Sequence, residues 1–467
     1  CILYIYIKLG ILVSKSWRAL SFKAWRSIKS LSLHPYFGSF GQPILTNHRL
    51  EGILNKSSGC LKILDLSLLT YQKLSPGYGG IIGKACPRLQ VLNLSQLPVT
   101  DKELTSIANN CTQLESLYLE KCAIVSDMAV KAVLDKCKKL KLLSLAKSAN
   151  ITGTCFTARV ENLKRLDIGY CSSFDTENFT NLCKNCPSLE KLYADEAELS
   201  ETSFITICNS LGKLAYISLS HGHIETKFAW QHLVKLKNIK HFIVNFNSTL
   251  CLEAFKGLNE GSPGVVHIAM AGCKTDDIDK MVENISKFKQ LRHIDLSHGE
   301  FLTNRGLFYL SKIDTLKTAI LSACPRVDST GIEQLLSGGH NLTHLDIRSC
   351  PNIGEDAAIS IEQYFLSRGN HLKVLAGGTN IPRSYTTNKY AGLEFTMSTI
   401  CQETDHGGLF HYSEDDSESD DGHYDDADAL LLNREDSVDR WEDDALLLNR
   451  EDSVDRWEDD ALLLNRE

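Results

Sequence analysis

The stretch CPRLQVLNLSQLPVTDKELTSIANNC, residues 86–111, opens and closes on cysteine and contains two patterns of different period. In LQVLNL, Leu89, Leu92 and Leu94 fit a short strand that turns its leucines to one side. After it, Thr100 stands at a helix N-cap position with Glu103 three residues on, the spacing of a capping box. Leu104, Ile107 and Ala108 then recur at helical spacing on one face. One short strand and one short helix cannot bury their apolar faces alone. They need neighbours of the same kind.

The neighbours are present. LxxLxL-type hexads start at Ile28, Leu61, Leu89, Leu114, Leu140, Leu163 and Leu189, then at Leu214, Ile239, Val265, Leu291, Leu316, Leu342 and Leu372. Fourteen copies, most of them 23–28 residues apart, define a repeat protein. The expected fold is an α/β leucine-rich-repeat solenoid over residues 28–378. Short parallel strands would line the concave side of a horseshoe and helices the convex side. Residues 379–411 lose the pattern and are expected to form an irregular cap or linker.

The chain of 467 residues has a net charge of −8 that is unevenly spread. Residues 412–467 hold 22 acidic and 5 basic residues, leaving 45 basic and 36 acidic in the remainder. The tail reads as a low-complexity acidic segment. Within it, DALLLNREDSVDRWED (428–443) recurs unchanged at 444–459. The mildly basic body lacks a basic stripe interleaved with aromatics, so nucleic acid is not expected as a partner. CILYIYIKLGILV at the start is broken by Lys8 and too short to span a bilayer, so no membrane is expected either. It also lacks a basic n-region and a cleavage site. Because the chain starts at Cys1 rather than Met, its true N-terminus is expected upstream.

The repeat sorts the 16 cysteines. Cys60, Cys86, Cys111, Cys137 and Cys186 fall after a helix; Cys122, Cys171, Cys273, Cys324 and Cys350 fall after a strand. Equal slots in a solenoid stack into columns, which suits small buried thiols in a reducing compartment, cytoplasmic or nuclear. Disulfides within the columns and a zinc site are the alternatives. Only Cys183 and Cys186 offer a zinc-like C-x₂-C spacing.

A unit such as CPRLQVLNLSQLPVTDKELTSIANNC, and the next, TQLESLYLEKCAIVSDMAVKAVLDKC, resembles the cysteine-containing leucine-rich repeats of the F-box/LRR family. That resemblance implies a substrate receptor of an SCF-type cullin–RING ubiquitin ligase, with an F-box ahead of the repeats. VSKSWRALSFKAWRSIKSLSL, from Val13, resembles the back of an F-box; Val13, Lys15, Trp17 and Arg18 match its helix and Trp25 its linker. These residues would hold a Skp-type adaptor and, through it, a cullin. The front of the motif is missing from residues 1–27. The alternative reading makes Trp17 and Trp25 the apolar cap that ends the solenoid core, and the two readings are compatible.

Nothing in the sequence points to an enzyme or a cofactor. YGGIIGKA (78–85) lacks the first Gly and the Ser/Thr of a phosphate loop and reads as the second unit's helix. His221 and His223 have no third ligand nearby, and GxSxG and HExxH are absent. Function is expected in binding a protein substrate. By period-two alternation, the residue between the last two leucines faces the concave side. This picks out Asp65, Asn93, Tyr118, Asp167, Tyr193, Ile243, Asp295 and Asp346, with Phe242 and Phe246 adding aromatic surface. A scaffold without a ligase role and a secreted recognition receptor remain the competing readings.

Overall fold

The computed structural model describes residues 23–397, except 34–44, 68, 70–73, 225, 276, 339–341, 370, 387–389 and 391. Val13, Lys15, Trp17, Arg18 and the acidic tail lie outside the described residues. Each hexad forms a short strand, from Ser30–Ser32 through Val91–Asn93 to Leu372–Leu375. Fifteen strands make one open sheet in chain order, each parallel to the next. The register carries Leu64 opposite Leu92, Leu92 opposite Leu117 and Leu117 opposite Leu143, so the inner leucines form a column. These residues are fully buried.

The sheet continues one strand past the hexads. Leu393–Thr396 pairs in parallel with Leu372–Leu375, where an irregular cap was expected. Leu393 and Phe395 alternate, but the third apolar position of the hexad is missing, so the pattern did not mark a repeat. A separate two-stranded pairing joins Glu198–Leu199 to His223–Ile224.

Helices such as Tyr78–Ala85, Asp101–Asn110 and Asp127–Lys136 occupy the other layer. The helical position varies with repeat length. Between Leu140 and Leu163, the shortest spacing, no helix forms; Gly153 turns the chain at φ +91° and Phe156 fills the core. A 3₁₀ helix, Lys227–Lys235, takes the helical place one repeat before Leu252–Gly261. YGGIIGKA is a helix, as read. Its glycines serve contact, since a Cβ on Gly79 would lie 2.5 Å from the Glu103 carbonyl oxygen of the next helix.

Thr100 caps its helix in extended conformation, but the capping box is rearranged. The Thr100 hydroxyl donates to one Glu103 carboxylate oxygen, and the other accepts the Gly77 N–H at 2.7 Å. Glu103 therefore ties one repeat to the preceding one. Asp101 and Asp127 do the same in the other direction, accepting the backbone N–H of Ser126 at 2.8 Å and of Thr152 at 2.8 Å.

Beyond most strands one residue takes a left-handed backbone, among them Gln96, Lys121, Lys147, Tyr170, His221 and Phe246. For an L-residue this costs about 1–2 kcal/mol. It aims the N–H at the next repeat: Gln96 donates to the Glu120 carbonyl at 2.8 Å, Lys121 to Ala146 at 2.8 Å and His221 to Asn245 at 2.8 Å. A second backbone ladder thus runs beside the sheet.

The 14 described cysteines are all free thiols, and only Cys60 and Cys251 are half-buried. The columns are present, and they bond as well as pack. The thiol of Cys122 donates to the Leu94 carbonyl at 3.4 Å, Cys171 to Leu145 at 3.2 Å, Cys324 to Leu296 at 3.3 Å and Cys350 to Leu321 at 3.1 Å. Each acceptor lies in the preceding repeat. Ser148 holds the same slot and donates to Leu119 at 3.1 Å. Burial pushes Cys86, Cys111, Cys122 and Cys171 up to about 12, which keeps them protonated as donors and poor nucleophiles. Iodoacetamide on the native protein is expected to modify Cys60 and Cys251 and to spare Cys111, Cys171 and Cys324 until denaturant is added. Peptide mass mapping reads this; labelling of Cys111 as fast as Cys60 would contradict it.

Candidate functional site

The face of the sheet turned away from the helices carries two rows, set by the last and the first residue of each strand. The last-residue row is the one the sequence singles out. Asp65, Asn93, Tyr118, Asp167, Tyr193, Asp295 and Asp346 do stand in this row, yet each is only 2–9% exposed. Ile243 alone among the chosen residues is half-buried. The expectation of an open binding row is therefore corrected. Neighbouring strands sit about 4.8 Å away on each side, and short side chains sink between them.

The carboxylates of this row are spent on the chain itself. Asp65 accepts the Ser67 N–H at 2.9 Å, Asp167 that of Gly169 at 3.1 Å and Asp295 that of Ser297 at 2.9 Å. The Asn93 side-chain oxygen takes the Ser95 N–H at 3.0 Å. Asp346 binds the Arg348 guanidinium through Nε at 3.0 and 3.1 Å and Nη2 at 2.6 Å, with both side chains 7% exposed. Asp295 lacks such a cation. Burial raises its carboxyl to about 6, Asp346 adds to the rise, and the bonds from Ser297 oppose it.

Phe242, expected on the surface, is fully buried. It fills the inner leucine slot and meets Trp230 and Phe255 edge-on at 6.1 and 6.2 Å. Trp25 is 2% exposed within the first repeat's core, with Lys56 over its ring at 5.3 Å.

The first-residue row is the accessible one. Strand register places Arg165, Lys191, Tyr216, His241 and His267 opposite one another in succession. His293, Thr318, His344 and Lys373 continue it. All are half-buried or exposed except Thr318. The rings pack in sequence: Tyr216 to His241 at 5.4 Å, His241 to His267 at 5.7 Å, His267 to His293 at 5.8 Å. Tyr193 meets Tyr216 at 4.6 Å and carries Arg165 over its ring at 5.1 Å. Along the turn beside it, His221 stacks on Phe246 at 4.7 Å, and Phe246 reaches His298 at 5.9 Å. Gly272 stands between, where a Cβ would lie 2.3 Å from the Phe246 ring. The signal for the row was in the hexads, whose third position is His in IKHFIV, VVHIAM, LRHIDL and LTHLDI.

Among the described residues no group of His, Cys, Asp and Glu is placed to hold a metal ion, and no helix is long and apolar enough to cross a membrane.

The fold is a leucine-rich-repeat solenoid. Rad7 in the yeast Rad7–Elc1 complex superposes with a TM-score of 0.52 at 15% identity, over 84% of this chain and 96% of the solved one. The chain's homologues include F-box/LRR-repeat proteins at modest identity. It is 23% identical over 337 residues to F-box/LRR-repeat protein 17 of Arabidopsis thaliana, covering 69% of this chain and 45% of that protein. It is 33% identical over 136 residues to F-box/LRR-repeat protein 4 of Bos taurus, covering 29% of this chain and 18% of that one. A Caenorhabditis elegans protein named "Putative RNA-binding protein EEED8.10" is 22% identical over 381 residues, covering 79% of this chain and 50% of its own length. The chain thus spans about half the length of the first two curated relatives it matches at full repeat scale. No protein-family profile matches it.

Asp295 and Asp346 share a row and should respond oppositely to loss of charge. Asp346→Asn leaves the buried Arg348 without its counter-ion, and a loss of about 3–5 kcal/mol is expected. Asp295→Asn keeps the acceptor for Ser297 and removes a buried charge. With a folded pKa above the unfolded value of about 3.9, Asp295 favours the fold at low pH and costs stability as pH rises through 6. The Asn variant should therefore be about 1–3 kcal/mol more stable than the parent near neutral pH and lose that advantage near pH 4. Urea unfolding across this pH range checks both.

Proposed function

We propose that the chain is the substrate-receptor part of an SCF-type cullin–RING ubiquitin ligase, holding a protein substrate on its strand face for ubiquitin-dependent degradation. The observation that supports this best is the accessible row of cations, imidazoles and rings on a repeat protein with F-box/LRR homologues. Such a surface recruits and does not transform. The ligase chemistry belongs to other subunits, and no cofactor is called for here.

In this reading a Skp-type adaptor, and through it a cullin, engages the segment holding Val13, Lys15, Trp17 and Arg18. Trp25 belongs to the same adaptor-binding set. Ile243 contributes contact on the strand face, while Asp65, Asn93, Tyr118, Asp167, Tyr193, Asp295 and Asp346 form the floor beneath. The free thiols suit a reducing compartment, cytoplasm or nucleus. The alternative is a repeat scaffold that binds its partner with no ligase attached. The name of the Caenorhabditis elegans relative raises RNA as another partner class.

Affinity purification of the tagged full-length gene product, with any upstream exon included, tests the reading. Skp-type adaptor and cullin are expected in the eluate, and Trp17→Ala with Arg18→Ala should reduce both together. Absence of both from the wild-type eluate would leave the scaffold alone.

A further inference from the structure

The first-residue row has a chemical character the proposed function leaves open. From Arg165 to Lys373 it holds no carboxylate; the end rung opposite Lys373 is Glu394, which pairs with His371 at 3.1 Å. Three consecutive imidazoles, His241, His267 and His293, sit at its centre in strand register. Tyr216 packs against one end. Cations flank both ends: Arg165 and Lys191 before it, Lys373 after His344.

The central rungs are half-buried and consolidated ring to ring, so the row is preformed rather than assembled on binding. Its spacing is set by the sheet at about 4.8 Å per rung.

We infer that this histidine row is the docking site for an acidic peptide segment of the protein partner, and that docking takes up protons. The inference rests on the concave-face binding reading above and supplies the partner's chemistry. Charge complementarity selects carboxylates, because the row offers only cations, imidazoles and hydroxyls.

A single-stranded nucleic acid is the weaker fit. The ring faces are partly covered by the neighbouring rungs, as in the 28° stack of Tyr216 on His241.

The proton linkage follows from the surroundings. Burial, with Lys191 adding to it, lowers the basicity of His241, and burial lowers that of His298. The charged and titratable groups on the elements packed against the row are Lys191, Tyr193, Asp195 and Glu196 on one flank. His221 and His298 stand along the turn. Asp295 and the Asp346–Arg348 pair lie in the floor, and the Lys164–Glu190 ion pair, Lys240, Arg292 and Lys317 precede the strands. His344, Lys373 and Glu394, which stands opposite Lys373, complete the other flank.

An imidazole held neutral by this setting regains its proton when a carboxylate arrives. Affinity then rises as pH falls through the imidazole range. Asp295 gains a proton over the same interval, which removes a repelling charge from beneath.

Fluorescence anisotropy on the full-length protein tests this with three labelled probes: a short peptide of alternating Glu and Gly, its Gln/Gly counterpart, and a mixed-sequence single-stranded RNA. The Glu/Gly peptide is expected to bind about tenfold tighter at about pH 6 than at about pH 8, an average uptake of about half a proton over that interval. The Gln/Gly peptide should bind more weakly at both. A variant carrying His241→Gln, His267→Gln and His293→Gln should lose the pH dependence with its circular dichroism unchanged.

Should that variant misfold, Lys191→Glu at an exposed rung is expected to weaken Glu/Gly binding at both pH values. Equal affinity for the two peptides, pH-independent binding, tighter binding of RNA, or no effect of Lys191→Glu would each overturn the inference. Adaptor recovery without acidic-peptide binding sinks this inference alone. Peptide binding without adaptor recovery sinks the ligase reading alone.

Discussion

In-register parallel pairing between consecutive strands is the constraint on which the rest of this structure depends. Each strand is only three or four residues long and would not persist alone. Paired on both sides, it repeats its neighbour's side-chain positions at a fixed step. One register error would move the inner leucines to the outer face and every row with them. The left-handed residues after the strands make such an error harder, since their N–H groups reach the carbonyls of the following repeat. The bond offsets a backbone conformation that residues such as Tyr170 and Phe246 otherwise avoid.

Side chains reinforce the same step. Thiols from the post-strand slot donate to carbonyls one repeat back, Asp101 and Asp127 accept from the repeat ahead, and Glu103 from the repeat behind. These groups differ in chemistry and share one geometric task. The helices are less constrained: the layer admits a 3₁₀ helix at Lys227–Lys235 and an irregular stretch after Leu145 without breaking the sheet. Stability in such an array is close to a sum over neighbours, so local departures stay local.

Periodicity also gives the outer face its character. Because every rung stands opposite its counterpart, similar residues in successive hexads become a contiguous stripe. Four histidines scattered over more than one hundred residues of sequence, His241 to His344, thereby come to share one surface. The two rows divide the work: one builds the floor, the other meets solvent.

The sequence by itself determined the solenoid, since fourteen hexads with leucines at fixed positions leave no other way to bury their apolar faces. It also determined the cysteine columns, because equal positions in a repeat must stack. What it did not determine was which outer residues are reachable. Asp65, Asp167 and Asp295 look from alternation like a binding row; their carboxylates instead close the turns two residues on. Alternation assigns a face, and only the third dimension assigns depth. The final strand, Leu393–Thr396, was hidden for a related reason: an end strand needs one partner, not a full hexad. The accessible histidine row was written in the third position of each copy. It became a surface only when strand register brought those positions side by side.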